Sequence, residues 1–133
     1  MSYALLPFKR IFDYRGRSRR KEYWHFVALF LIIYVITSSL DVAFDLGGSL
    51  AVSAQDRTYS FSIVGGLIAD FWTIVVVAPG LALHIRRLHD SDRSGWWILI
   101  TLIPALGWVF SIFLMCLDGS SGTNRFGPSP KVA

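Results

Sequence analysis

Cysteine is almost missing from this chain. Cys116 stands alone, so no internal disulfide can form and no cysteine-rich metal centre can be assembled. Charge is scarce as well, at 17% of 133 residues against about a quarter in an ordinary soluble domain. In residues 96–117, WWILITLIPALGWVFSIFLMCL, it is absent altogether. No low-complexity segment is present, and no cleavable signal is expected: the apolar run from Tyr3 to Phe8 is short and precedes the basic cluster instead of following it. Acids are few where a lipid-transferring enzyme would need several to hold Mg²⁺. Asp13, Glu22, Asp90 and Asp92 are interspersed with arginines, so no enzyme is expected. The histidines point away from metal too. His84 and His89 are five apart and diverge around a helix, His25 lies on another segment, and neither metal nor cofactor is expected.

What the chain has in abundance is apolar surface: 53% hydrophobic residues and a mean hydropathy of +0.50, too apolar for a soluble protein of this length. One membrane domain over residues 1–133 is expected. Trp24 to Phe44 carries ten Phe, Val, Leu and Ile residues before Asp41, enough to cross a bilayer at about 31 Å as a helix. Gly66 to Ile85 reads as a second span and Trp96 to Leu117 as a third. The fold class expected is an all-α membrane protein of three spans, 24–44, 66–85 and 96–117, joined by a loop 86–95 and ending in a tail 118–133. Phe8, Ile11 and Phe12 share one helical face, which suits a short interfacial helix before the first span; an unstructured leader is the alternative.

The net charge of +4 does not mark a nucleic-acid surface, because seven of the thirteen basic residues lie before Trp24. They form a flank. Against those seven, residues 46–65 hold only Arg57 and residues 86–95 hold three, which predicts a cytoplasmic N-terminus, an outer first loop and a cytoplasmic second loop. The tail then falls outside if 96–117 crosses. A re-entrant hairpin at Pro104 is the alternative, favoured by Arg125 and Lys131 in the tail; the length of the uncharged run favours a full crossing.

Ser18 and Ser94 are expected helix N-caps, each just ahead of an interfacial aromatic pair, Tyr23-Trp24 and Trp96-Trp97. The string RGRSRRKEYW, then IRRLHDSDRSGWW, then IPALGW, then GSSGTNRFGPSP, in that order and over nearly the whole chain, resembles domain of unknown function family 805. The resemblance implies a small bacterial inner-membrane protein and assigns it no reaction, substrate or cofactor.

Candidate functional residues fall in two groups. Arg86, Arg87, His89, Asp90 and Arg93, with the basic arm of Arg17, Arg19 and Arg20, form a surface cluster suited to lipid phosphate or a protein partner, since arginine forks match phosphate geometry. Asp90 can satisfy Arg86 or Arg87 but hardly both, and Glu22 would meet the other if the first two helices pack. Asp41, Asp45 and Asp70 form a second group near the outer face. The expected function is a non-catalytic lipid- or partner-binding membrane module. Membrane lipids, anionic ones among them, a second copy or another membrane protein are the partners expected, and nucleic acid is not. The alternative is a subunit of a small-solute or ion transporter using Asp70.

Overall fold

The computed structural model describes residues 3–55 and 58–131. A 3₁₀ turn, Tyr3–Leu5, leads into α1, Leu6–Lys9; then come α2, Arg20–Ala43, strands β1, Ser49–Gln55, and β2, Thr58–Val64, and α3, Leu67–Asp90. A 3₁₀ helix, Gly95–Leu102, and α4, Leu106–Cys116, complete the order. Contacts divide the chain into two compact units, Met1–Val27 with Ala78–Ala133, and Ala28–Val77.

Among the described residues, helices α2 and α3 are the two elements long and apolar enough to cross a membrane, 24 residues each and so about 36 Å. Only 17% and 28% of their apolar stretches are buried in the protein, which separates them from the core helices of a soluble domain. Leu31, Ile32, Val35 and Ile36 on α2, and Phe71, Ile74 and Val77 on α3, point outward. α3 runs five residues beyond the expected end of its span, so Arg86 to Asp90 belong to its last turn and not to a loop. Basic side chains there complement the helix dipole, and Arg87 closes on Asp90 three residues along.

In the unit Ala28–Val77, residues 46–65 are not the plain loop expected. β1 and β2 pair antiparallel in register, Ser49 opposite Val64 and Gln55 opposite Thr58, so the all-helical reading requires amendment. Alternation in TYSFSIV is the strand signal that the reading passed over. The hairpin is followed by an inter-element cap. Both oxygens of the buried Asp41 accept from the first amides of α3: Gly66 N at 3.0 Å, Ile68 N at 2.9 Å and Ala69 N at 2.9 Å. A carboxylate brought from α2 thus satisfies the orphan donors of another helix.

In the other unit, residues 96–117 do not form the one continuous helix expected of a third span. The 3₁₀ helix rises for about 16 Å, Ile103 is extended ahead of Pro104, Ala105 takes a positive φ of 59°, and α4 returns over about 16 Å. Each arm covers roughly half of a hydrocarbon core of about 30 Å. Trp108 Nε1 donates to the Thr101 carbonyl across the hairpin at 3.1 Å. Gly107 lets the arms close, because a Cβ there would overlap the Ile100 carbonyl. Both ends finish beside the last turn of α3: Ser94 caps the start through Trp96 N, and Arg87 donates to the Leu117 carbonyl at the finish. Length favoured a full crossing, yet the helix breaks at Ile103 to Ala105. A proline alone does not account for this, since Pro79 is carried inside the continuous α3; the break lies in the extended Ile103 and the positive φ of Ala105 on either side of Pro104.

The tail consequently lies at the same end of α3 as the N-terminal arm. A topology reporter fused after Ala133 is expected to score on the same side of the membrane as one fused ahead of Met1. Opposite scores would restore the third crossing.

The N-terminal helix is shorter than expected. α1 stops at Lys9, leaving Phe12 in the following turn at 78% exposure. Leu88, Leu114 and Met115 form a small buried apolar cluster in this unit, with Tyr23, Ile98 and Leu117 packed on it. His84 sits beside it with both ring nitrogens engaged, Nδ1 with Tyr23 Oη at 3.4 Å and Nε2 with Ser111 Oγ at 3.2 Å.

Candidate functional site

Arg17, Arg86, Arg87, Asp90 and Glu22 are all buried, and Arg86 and Arg87 are wholly so. A guanidinium is tolerated inside only if its donors find acceptors. Here the fold supplies most of them from four directions, leaving Arg86 Nη2 and Arg87 Nε without a hydrogen-bond partner among the described residues. Asp90 is the hub: Oδ1 accepts from Arg17 Nε at 2.9 Å and Oδ2 from Arg87 Nη1 at 2.6 Å. One carboxylate therefore holds an arginine of the N-terminal arm and one of α3.

The rest of Arg17 is turned into the tail, where it donates to the carbonyls of Ser120 at 2.6 Å, Gly122 at 2.7 Å and Gly127 at 3.3 Å. Arg87 reaches the carbonyls of Met115 and Leu117 at the end of α4. Arg86 is clamped by the arm, donating to Ser18 Oγ at 3.0 Å and to the carbonyls of Arg10 and Asp13. Its remaining nitrogen, Nη2, lies 3.8 Å from Glu22 Oε1, so Glu22 does face the arginine that Asp90 leaves over. Ser18, expected to cap α2, gives its oxygen to Arg86 instead.

Three guanidiniums against two carboxylates leave one excess positive charge, spread over a ring of backbone carbonyls. Outside the ring Arg10 pairs with Asp13 at 2.8 Å, and this hydrogen bond holds the Asp13 carboxyl below its ordinary range. The tail is strapped on further. Phe126 stacks flat on His89, centroids 3.8 Å apart and planes at 4°, and Asn124 Nδ2 donates to the His89 carbonyl at 2.9 Å. Arg125 lies over Phe126 and pairs with Asp92 at 3.2 Å. Gly119 is required where the tail crosses Asp90, since a Cβ would run into that carboxylate.

The other predicted residues are placed differently. Arg93 meets no carboxylate among the described residues; its guanidinium lies 5.8 Å from the centre of the Trp97 ring. Arg19 Nε donates to the Pro130 carbonyl, and Arg20 pairs with Asp118 at 2.7 Å. Asp118 also accepts from Lys131, and the two cations hold its carboxyl below the ordinary range, Lys131 contributing more. Of the outer acids Asp41 is buried in its cap, whereas Asp45 and Asp70 are exposed. Gly119, Ser120 and the tail carbonyls were not among the predicted site residues, although they belong to the glycine- and serine-rich string GSSGTNRFGPSP.

Two membrane-length helices with outward apolar faces, and a charged clamp buried at one end, define a helical membrane protein. The chain belongs to the family described as protein of unknown function (DUF805), whose pattern matches residues 11–128, as the resemblance implied. It is similar to inner membrane protein YhaH of Escherichia coli strain K12, 39% identical over 132 residues, or 99% of this chain and 98% of the relative. It is also similar to inner membrane protein YhaI of the same strain, 34% identical over 131 residues, 98% and 97% of the two chains. No solved structure matches it.

Proposed function

We propose that this protein is a non-catalytic module of the bacterial inner membrane that binds anionic lipid at its cytoplasmic surface. In this reading α2 and α3 cross, residues 95–116 form a re-entrant hairpin, and arm and tail share the cytoplasmic side, where the excess of Lys and Arg belongs. The observation that carries the reading is how the basic residues divide. Arg17, Arg86 and Arg87 are consumed inside the clamp, which ties arm, helix end, hairpin and tail into one platform. The side chains of Arg15, Lys21 and Arg93 remain at its rim with no carboxylate partner among the described residues; only the backbone N–H of Arg15 donates to Asp13. Arg93, over the ring of Trp97, lies where an anionic leaflet presents its phosphates.

In nanodiscs of equimolar phosphatidylglycerol and phosphatidylcholine, the protein is expected to retain the anionic lipid preferentially when released into a mass spectrometer. Arg15→Gln with Arg93→Gln should weaken that preference by about 1 kcal/mol per charge. Equal retention of the two lipids by the unaltered protein rejects the reading.

A further inference from the structure

Beneath the tail, at the start of α2, Arg19, Arg20, Lys21 and Lys131 line a cavity of about 250 Å³. The cations come from two distant parts of the chain and meet because the tail is strapped down by Arg17, by the stack of Phe126 on His89 and by Asn124. Arg20 Nη2 and Lys131 Nζ converge on one oxygen of Asp118, at 2.7 and 2.9 Å. Arg20 is further oriented by the Cys116 carbonyl at 3.0 Å, and Arg19 by that of Pro130. Lys21 is exposed and has no anionic partner among the described residues. Four cations against the single carboxylate of Asp118 leave three positive charges around one small hollow.

We propose that this hollow holds the phosphate of an anionic phospholipid. The proposal rests on the reading of the protein as a lipid-binding module, and names the site. A lipid, not a soluble phosphate, follows from what lies one helical turn away on the apolar side. Trp24 is four residues after Arg20 on the same face of α2, and Ile112 is four before Cys116 on α4; both are exposed. A phosphate among the cations thus has apolar surface beneath it for its acyl chains, with Trp24 at the level where interfacial aromatics reside. Lys21 and Lys131 are the donors best placed to turn to the phosphate, because neither is committed to the clamp.

The test is lipid retention in the equimolar nanodiscs by the full chain, by Lys21→Gln with Lys131→Gln, and by Lys9→Gln, which removes an exposed charge outside the hollow. The double variant is expected to lose about 25-fold in preference for phosphatidylglycerol, about fivefold per charge. Lys9→Gln, whose side chain does not line the hollow, is expected to change it by no more than about fivefold, the effect of one general surface charge. All these lysines are exposed, so the fold is not at stake. A double variant no different from Lys9→Gln overturns the site while the module's preference for anionic lipid stands. Loss of preference in the unaltered protein overturns both. Displacement of the lipid by millimolar inorganic phosphate would make the hollow a site for a soluble anion and overturn the lipid assignment.

Discussion

Asp90→Asn is expected to destabilise the protein by about 3–5 kcal/mol, the effect of leaving buried charge without its counter-ion. Asparagine keeps the shape of the side chain, but both guanidiniums that converge on Asp90, from Arg17 and Arg87, stay in place and stay buried. The first visible consequence should be release of the tail, since Arg17 holds it through three carbonyls. Thermal unfolding in detergent gives the loss of stability, and limited trypsin digestion at Arg125 gives the release. Adding Arg17→Gln to Asp90→Asn should recover part of the loss, because it removes one of the two stranded cations. A shift under about 1 kcal/mol in the single variant would mean that the carbonyl ring alone supports the arginines.

The second large effect is expected at Asp41. Asp41→Ala leaves the amides of Gly66, Ile68 and Ala69 without their acceptor, and the first and last of these bonds are buried. Loss of a charged cap with three such bonds should destabilise by about 2–4 kcal/mol. Asp41→Asn should fall between, since the amide oxygen still accepts but no longer brings a negative charge to the positive end of α3. Asp70→Asn is the comparison: Asp70 lies in the first turn of the same helix but is exposed, so its removal should cost under about 1 kcal/mol. The same thermal measurement ranks the three. Equal effects of Asp41→Ala and Asp70→Asn would reduce the cap to a generic dipole interaction.

Much of the membrane frame was legible in the chain as written. Spans at 24–44 and 66–85 emerge as α2 and α3 because an apolar run of that length has one stable arrangement in a bilayer. Separations of four and three on a helix made Asp90 a partner for Arg86 or Arg87, with Glu22 for the one left over; that Arg87 takes Asp90 and Arg86 faces Glu22 came from the fold. The hairpin at Pro104 was legible only as the alternative: the length of 22 uncharged residues argued for a full crossing, although two half crossings use up the same length. The strands were hidden behind a reading of residues 46–65 by charge alone, although TYSFSIV alternates.

The sequence by itself determined that this is a membrane protein of its family, that its basic residues gather at one end of two apolar helices, and that Asp90 would be contested. Only the tertiary structure decided which arginines are buried and which face outward. Arg17 and Arg93 look alike in the chain, each beside a serine and shortly before an aromatic pair. One is enclosed on Asp90 and the other rests on the Trp97 ring. The physical reason lies in the acceptors. Arg17, Arg86 and Arg87 are accommodated inside chiefly by backbone carbonyls of Arg10, Asp13, Met115, Leu117, Ser120 and Gly122. Every residue carries a carbonyl, so no pattern of side chains announces one; it becomes a ligand for a buried charge only when the fold turns it inward.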